Sequence, residues 1–186
     1  MSARSLISTT DLSGPEVLAL LDDAAALRAQ RAALTAGGPP SPLLAGRTVA
    51  LIFEKPSTRT RVSFEVGVAE LGGRPLPLSS ADLQLGRGET VADTGAVLGR
   101  YVQGLVVRTF AQARLEELAH ASGVPVINAL TDEEHPCQAL ADLLTVRDAF
   151  AEFADRTLTY VGDGNNVAHS LLLAGAAVGL GVRVAH

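Results

Sequence analysis

Apolar side chains return every three to four positions over residues 15–35 (Val17, Leu20, Leu21, Ala24, Leu27), which predicts an amphipathic helix. Ser13 is placed to cap it, with Pro15 and Glu16 in the first turn. The run Gly37-Gly38-Pro39-Pro40-Ser41-Pro42 then forces a loop. Residues 48–53 are short and continuously apolar, bounded by Gly46 and Pro56, as expected of a buried strand. A second helical period covers 60–71, with Phe64, Val68 and Leu71 on one face and Gly72-Gly73 ending it. Residues 74–79 are extended, but Pro75 and Pro77 restrict them to a sheet edge or to irregular chain. The alternation continues with helices over 89–101, 111–122, 136–150 and 167–178, and strands over 104–108, 125–129, 157–161 and 181–185.

Strands alternating with helices at this spacing predict an α/β fold, a parallel sheet flanked by helices. The polar stretch around 152–156 is the expected boundary, dividing the chain into residues 1–150 and 151–186. The second part holds one strand–helix–strand unit, and two parallel strands cannot bury the faces of that helix. It therefore reads as the start of a second, incomplete α/β domain.

Composition narrows the class. The chain has 186 residues, 47% hydrophobic, with 15 basic residues against 20 acids and a formal net charge of −5. That is ample for a core and carries no basic footprint for nucleic acid. Lys55 is the only lysine, and Cys137 the only cysteine, which excludes a disulfide framework and a zinc ribbon. Neither a membrane span nor a secretory signal is legible, so a soluble, cytoplasmic protein is expected.

In an open parallel sheet, ligands bind beyond the carboxyl ends of the strands. After the strand at 48–53 comes Glu54-Lys55-Pro56-Ser57-Thr58-Arg59-Thr60-Arg61, opening a helix. Hydroxyls, guanidiniums and free first-turn amides together can cradle a phosphate; an ordinary capped helix with surface arginines accounts for the same residues. After 104–108 the chain reads Arg108-Thr109, and that arginine either sits at the ligand edge or pairs with a neighbouring helix. The acidic loop 131–134 precedes His135-Pro136-Cys137-Gln138, where His135 is a catalyst or simply the residue before a helix. Cys137 lacks any nucleophile motif and reads as a packed thiol. Gly162-Asp163-Gly164 resembles a dinucleotide fingerprint, but Val167 occupies the third glycine position.

Phe53-Glu54-Lys55-Pro56-Ser57-Thr58-Arg59-Thr60-Arg61 followed by Ser63-Phe64-Glu65 resembles the carbamoyl-phosphate signature of the aspartate/ornithine transcarbamylase family. Leu83-Gln84-Leu85-Gly86-Arg87-Gly88-Glu89-Thr90, His135-Pro136-Cys137-Gln138 and Asp163-Gly164-Asn165-Asn166-Val167 resemble its ornithine carbamoyltransferase branch. The resemblance covers essentially the whole chain. It implies transfer of the carbamoyl group of carbamoyl phosphate to the side-chain amine of L-ornithine, giving citrulline and phosphate, with no metal or cofactor. It also implies that residues 1–150 form the carbamoyl-phosphate domain and that 151–186 begin the ornithine domain.

By the same resemblance, Ser57, Thr58, Arg59 and Thr60 hold the phosphate, and Arg108 bridges phosphate and carbamoyl oxygen. His135 donates to that oxygen and Gln138 accepts from the carbamoyl amide. Gln84 reaches the site of an adjacent subunit in a homotrimer, and Asn166 contacts ornithine. The family's Asp-x-x-x-Ser-Met and His-Cys-Leu-Pro segments are absent from the 186 residues, so this length alone is expected not to turn over. Putrescine or an acylated ornithine as acceptor, or a non-catalytic carbamoyl-phosphate-binding module, are the alternatives.

Overall fold

The computed structural model describes residues 4–39, 41–79, 83 and 88–186. Its elements in chain order are α1 (Gly14–Thr35), β1 (Thr48–Phe53), α2 (Thr58–Glu70), β2 (Arg74–Ser79), α3 (Val91–Leu98) and β3 (Gly104–Arg108). Then come α4 (Gln112–Ser122), β4 (Val126–Leu130), α5 (Pro136–Phe150), β5 (Thr157–Val161), α6 (Asn166–Val178) and β6 (Gly181–Ala185). Four strands form one parallel sheet in the order β2-β1-β3-β4, and β5 and β6 form a separate parallel pair. The α/β class with a parallel sheet and a second small sheet is as the alternation predicts.

Local chemistry sets the boundaries. Ser13 and Glu16 make a reciprocal capping box at α1, with Pro15 in its first turn. Thr90 caps α3 against the Asp93 amide, so that helix begins at Val91 rather than at 89 and ends before 101. Asn165 accepts from the Val167 and Ala168 amides at the start of α6. Gly123 ends α4 with φ of 65°, a left-handed turn in which a side chain is strained. β2 is a regular strand, and its two prolines sit where expected, on the sheet edge beside β1.

β1 and β3 occupy the sheet centre, and Ala50, Leu51, Ile52, Leu105, Val106 and Val107 are all buried. The open flank of β4 is partly covered by the N-terminal segment. Leu6 bridges to Ile127 in parallel, its N–H donating to Val126 O at 2.9 Å and its carbonyl accepting the Asn128 N–H at 2.8 Å. One residue pair has no periodicity, so the sequence pattern does not reveal it.

The two strands of the second part do not cover α6 by themselves; helices of the first part contribute. Leu171 and Ala174 of α6 and Leu180 share one core with Val17 and Leu21 of α1 and Ala139, Leu140 and Leu143 of α5. The small sheet's helix therefore docks on helices of the larger sheet. No helix among the described residues is long and apolar enough to cross a membrane.

Close backbone packing yields a pair of opposite predictions. A Cβ on Gly99 would lie 1.9 Å from the Ser122 carbonyl oxygen, whereas one on Gly67, within α2, meets nothing within 4 Å. Gly99→Ala should cost about 3 kcal/mol through forced separation of α3 from α4. Gly67→Ala should gain up to about 1 kcal/mol through helix propensity. Urea unfolding of both variants measures the contrast, and equal effects would contradict this packing.

Candidate active site

The carboxyl ends of β2, β1, β3 and β4 lie side by side, and each is followed by polar residues. β1 delivers Glu54 and the turn into α2. Ser57 is the N-cap of α2, its hydroxyl oxygen accepting the Thr60 N–H at 3.3 Å. The Thr58 and Arg59 amides then sit in the first turn, where helix geometry offers no internal acceptor. Thr58 and Arg59 are exposed and Ser57 and Thr60 half-buried. A cleft of about 480 Å³ opens beside this turn, lined by Lys55, Ser57, Thr58, Arg61, Pro77 and Ser79 among others. Arg59, Thr60, Arg108, His135 and Gln138 do not line it; Arg108 ends β3, and His135 and Gln138 follow β4.

Arg108 ends β3 in register with Phe53, and its carbonyl accepts the Glu54 N–H at 2.9 Å. The side-chain Nε is buried without a partner among the described residues. No carboxylate among the described residues pairs with Arg108, so the salt-bridge reading from the sequence is not what the structure contains. Burial lowers its pKa. The nearby acid is otherwise engaged: Glu54 takes the Thr109 hydroxyl and, at 2.6 Å, an Arg114 Nη2.

His135 is the N-cap residue of α5, but its side chain does not cap the helix. Its backbone N–H donates to Ser170 Oγ at 2.8 Å, and its Nδ1 is buried without a partner among the described residues. Burial, with the neighbouring Arg108 cation as the smaller cause, lowers the imidazole pKa to about 4. His135 is therefore neutral near pH 7, a donor through one nitrogen only.

Gln138 is exposed on α5, and its Nε2 donates to Asp142 Oδ1 at 2.9 Å, leaving Oε1 as a free acceptor. Desolvation raises the Asp142 carboxyl, with the Gln138 bond opposing it. Asn166, at the start of α6, donates from Nδ2 to Thr131 O at 2.6 Å, which leaves its Oδ1 to act as an acceptor. Gln84 lies outside the described residues. Among the described residues no group of His, Cys, Asp and Glu could hold a metal ion.

Two features escaped the sequence reading. Lys55 forms an ion pair with Asp132 and stands 4.6 Å over the Phe110 ring, tying the turn after β1 to the turn after β4. Glu134, in a loop read only as acidic, is buried. No local motif signals either, because each partner is distant in sequence. Cys137 is the packed thiol expected: Sγ lies 3.4 Å from Asn128 O, and burial pushes the thiol up to about 11. It should resist maleimide at pH 7.5, and Cys137→Ser should keep any carbamoyl-transfer activity within about threefold, since a thiol so protonated is no nucleophile. Rapid labelling, or a lost activity in the serine variant, would refute this.

Comparison with known proteins agrees in sequence and in fold. The family profile described as aspartate/ornithine carbamoyltransferase, carbamoyl-P binding domain, matches residues 4–148. An ornithine carbamoyltransferase of a Parafrankia species is 60% identical over 185 residues, covering 100% of this chain and 57% of that protein. One from Anoxybacillus flavithermus is 60% identical over 142 residues, 76% of this chain and 45% of that protein. The chain thus spans about half the length of the curated relatives it matches. Among solved structures, the Pyrococcus furiosus ornithine carbamoyltransferase superposes with TM-score 0.90 at 40% identity, covering 100% of this chain and 67% of that one. The Gloeobacter violaceus enzyme gives TM-score 0.83 at 49% identity, covering 99% and 59%.

Proposed function

The chain belongs to the aspartate/ornithine carbamoyltransferase family, and on that premise we propose that it is the carbamoyl-phosphate-binding portion of an ornithine carbamoyltransferase. Residues 1–150 bind carbamoyl phosphate, and residues 151–186 begin the part that holds the amine acceptor. The whole protein transfers the carbamoyl group to L-ornithine in the cytoplasm, as a homotrimer in which Gln84 enters a neighbour's site. It uses no cofactor.

The observation that carries this reading is the pair of buried nitrogens without partners among the described residues, Arg108 Nε at the end of β3 and His135 Nδ1 between β4 and α5. Thr94 Oγ1 in α3 and Asn128 Oδ1 inside β4 are likewise buried without partners, but only Arg108 and His135 stand at the carboxyl ends of neighbouring strands, where a ligand can supply the missing bonds. The phosphate docks on the first turn of α2, held by the amides and by Ser57, Thr58, Arg59 and Thr60. Arg108 spans phosphate and carbamoyl oxygen.

A neutral amine attacks the carbamoyl carbon, forming the C–N bond and putting charge on the carbamoyl oxygen. Arg108 and neutral His135 meet that charge with donors already aimed and partly desolvated. Gln138 Oε1, fixed by its amide's bond to Asp142, accepts from the carbamoyl NH2. The carbon–oxygen bond to phosphate then breaks, the phosphate takes the electron pair with its charge already balanced, and the new amide loses its extra proton to solvent. Asn166 Oδ1 is left to accept from the amino-acid ammonium, because its Nδ2 is committed to Thr131.

The test is an acceptor panel on the full-length protein. Citrulline should form from carbamoyl phosphate and L-ornithine, far faster than products from putrescine or N-acetylornithine. A faster rate with another amine would reassign the acceptor. No amine-dependent phosphate release at all would leave only a binding module.

A further inference from the structure

The turn carrying His135 is tied to the N-terminal segment by a buried carboxylate that the reaction does not use. Glu134 is 6% exposed. Its Oε2 accepts the Thr9 N–H and the Thr9 hydroxyl, both at 2.8 Å, and its Oε1 accepts the Ser8 hydroxyl at 2.7 Å. No cation among the described residues pairs with it. A carboxylate is costly to desolvate unless its lone pairs are filled, so these neutral donors must hold a fixed geometry.

The rest of the turn is bound just as closely. Thr131 N–H donates to Glu134 O at 2.8 Å, Glu134 N–H to Thr131 Oγ1 at 3.0 Å, and the Thr131 hydroxyl to Gln112 Oε1 at 2.8 Å. The N-terminal segment that supplies Ser8 and Thr9 is itself pinned to β4, through Leu6 and through Ser5 Oγ, which accepts the Val126 N–H at 3.0 Å. α6 grips the far side: Ser170 holds the His135 N–H, and His169 Nδ1 is 2.9 Å from Glu133 O. Glu134 thus ties the start of the chain directly to the backbone immediately before His135, while Gln112 links Ile7 O to Thr131 less directly.

We propose that Glu134 is a positioning residue for His135, acting through hydrogen bonds to Ser8 and Thr9 rather than through its charge. The proposal rests on the reading of His135 as donor to the carbamoyl oxygen. Displacing a group that touches the reacting atoms by about 1 Å can cost on the order of a hundredfold in rate. The turn's freedom to shift is what the Glu134 contacts remove.

Three variants of the full-length protein test this. Glu134→Ala removes every contact to the N-terminal segment. Glu134→Gln keeps them, since its carbonyl accepts from Thr9 while its NH2 faces the Ser8 hydroxyl, which can accept as well as donate. Thr9→Val removes one donor without opening a cavity and stands in if Glu134→Ala does not fold. Glu134→Ala should lower kcat about tenfold or more and leave the KM for carbamoyl phosphate within about threefold. Thr9→Val should lower kcat in the same direction, and Glu134→Gln should stay within about threefold of the parent.

The second readout is the His135 imidazole titration by NMR, assigned with a His135→Asn variant. Glu134→Ala should raise it from about 4 toward the ordinary 6.5 as the ring loosens into water, and Glu134→Gln should not. This readout is independent of turnover. If His135→Ala kept full activity, the catalytic reading of His135 would fall, while the titration would still report whether Glu134 positions it. Parent-like kcat and titration in Glu134→Ala and Thr9→Val would overturn the proposal. A Glu134→Gln variant as impaired as Glu134→Ala would overturn the hydrogen-bond account.

Discussion

An Arg108→Met variant of the full-length protein should bind carbamoyl phosphate at least about a hundredfold more weakly than its parent, because charge-assisted bonds to the anion are worth about 1.5–3 kcal/mol each. The same substitution should stabilise the ligand-free protein. Arg108 is partly desolvated, and among the described residues its Nε lacks a partner and no carboxylate offsets the burial that lowers its pKa. An apolar side chain of similar length removes the penalty, a gain of about 1 kcal/mol. Thermal unfolding with and without carbamoyl phosphate reads both effects together. The parent should rise in Tm with ligand by mass action, and the variant should start higher and barely move. A variant that is less stable without ligand and still responds to it would show that Arg108 serves the fold instead.

His135→Ala should lower kcat by about 10²–10³, with little change in the KM for carbamoyl phosphate, because its partner gains charge only as the reaction proceeds. The pH dependence follows from the same residue. Its folded pKa, about 4, lies below the ordinary 6.5, so the unfolded chain binds the proton more readily. The stability from this group is fully present above about pH 6.5 and is lost as pH falls toward 4, by at most about 3 kcal/mol. A His135→Asn variant should lack that component, giving a flatter stability curve between pH 6.5 and 4. The turnover of the parent should likewise show no acidic limb near 6.5 that depends on this residue. Such a limb, disappearing in His135→Asn, would show an ordinary, solvated imidazole.

Fold class was legible because its signals are local. Hydrophobic periods of two kinds and the cap at Ser13 each act within a few residues, whereas the Thr90 and Asn165 caps, equally local, went unread and left the starts of α3 and α6 misplaced. The prolines of β2 placed it on an edge correctly for the same reason. The cover over α6 was missed because it depends on α1, joined to it only through the folded core. The candidate site residues stand out by type and by position after strands. Their protonation and their free atoms do not, since those follow from burial and from neighbours.

The sequence by itself determined the alternation of elements, the parallel class of the sheet and the chemistry available at the ends of the strands. Only the tertiary structure decided which of those groups are spoken for. Lys55 is engaged by Asp132 and Phe110, Glu54 by Thr109 and Arg114, and Glu134 by the start of the chain, whereas Arg108 and His135 each keep a buried nitrogen unpaired. The physical reason is range. Backbone preference and capping are settled between near neighbours, but desolvation and hydrogen-bond satisfaction are settled by whichever segment the packed fold brings alongside.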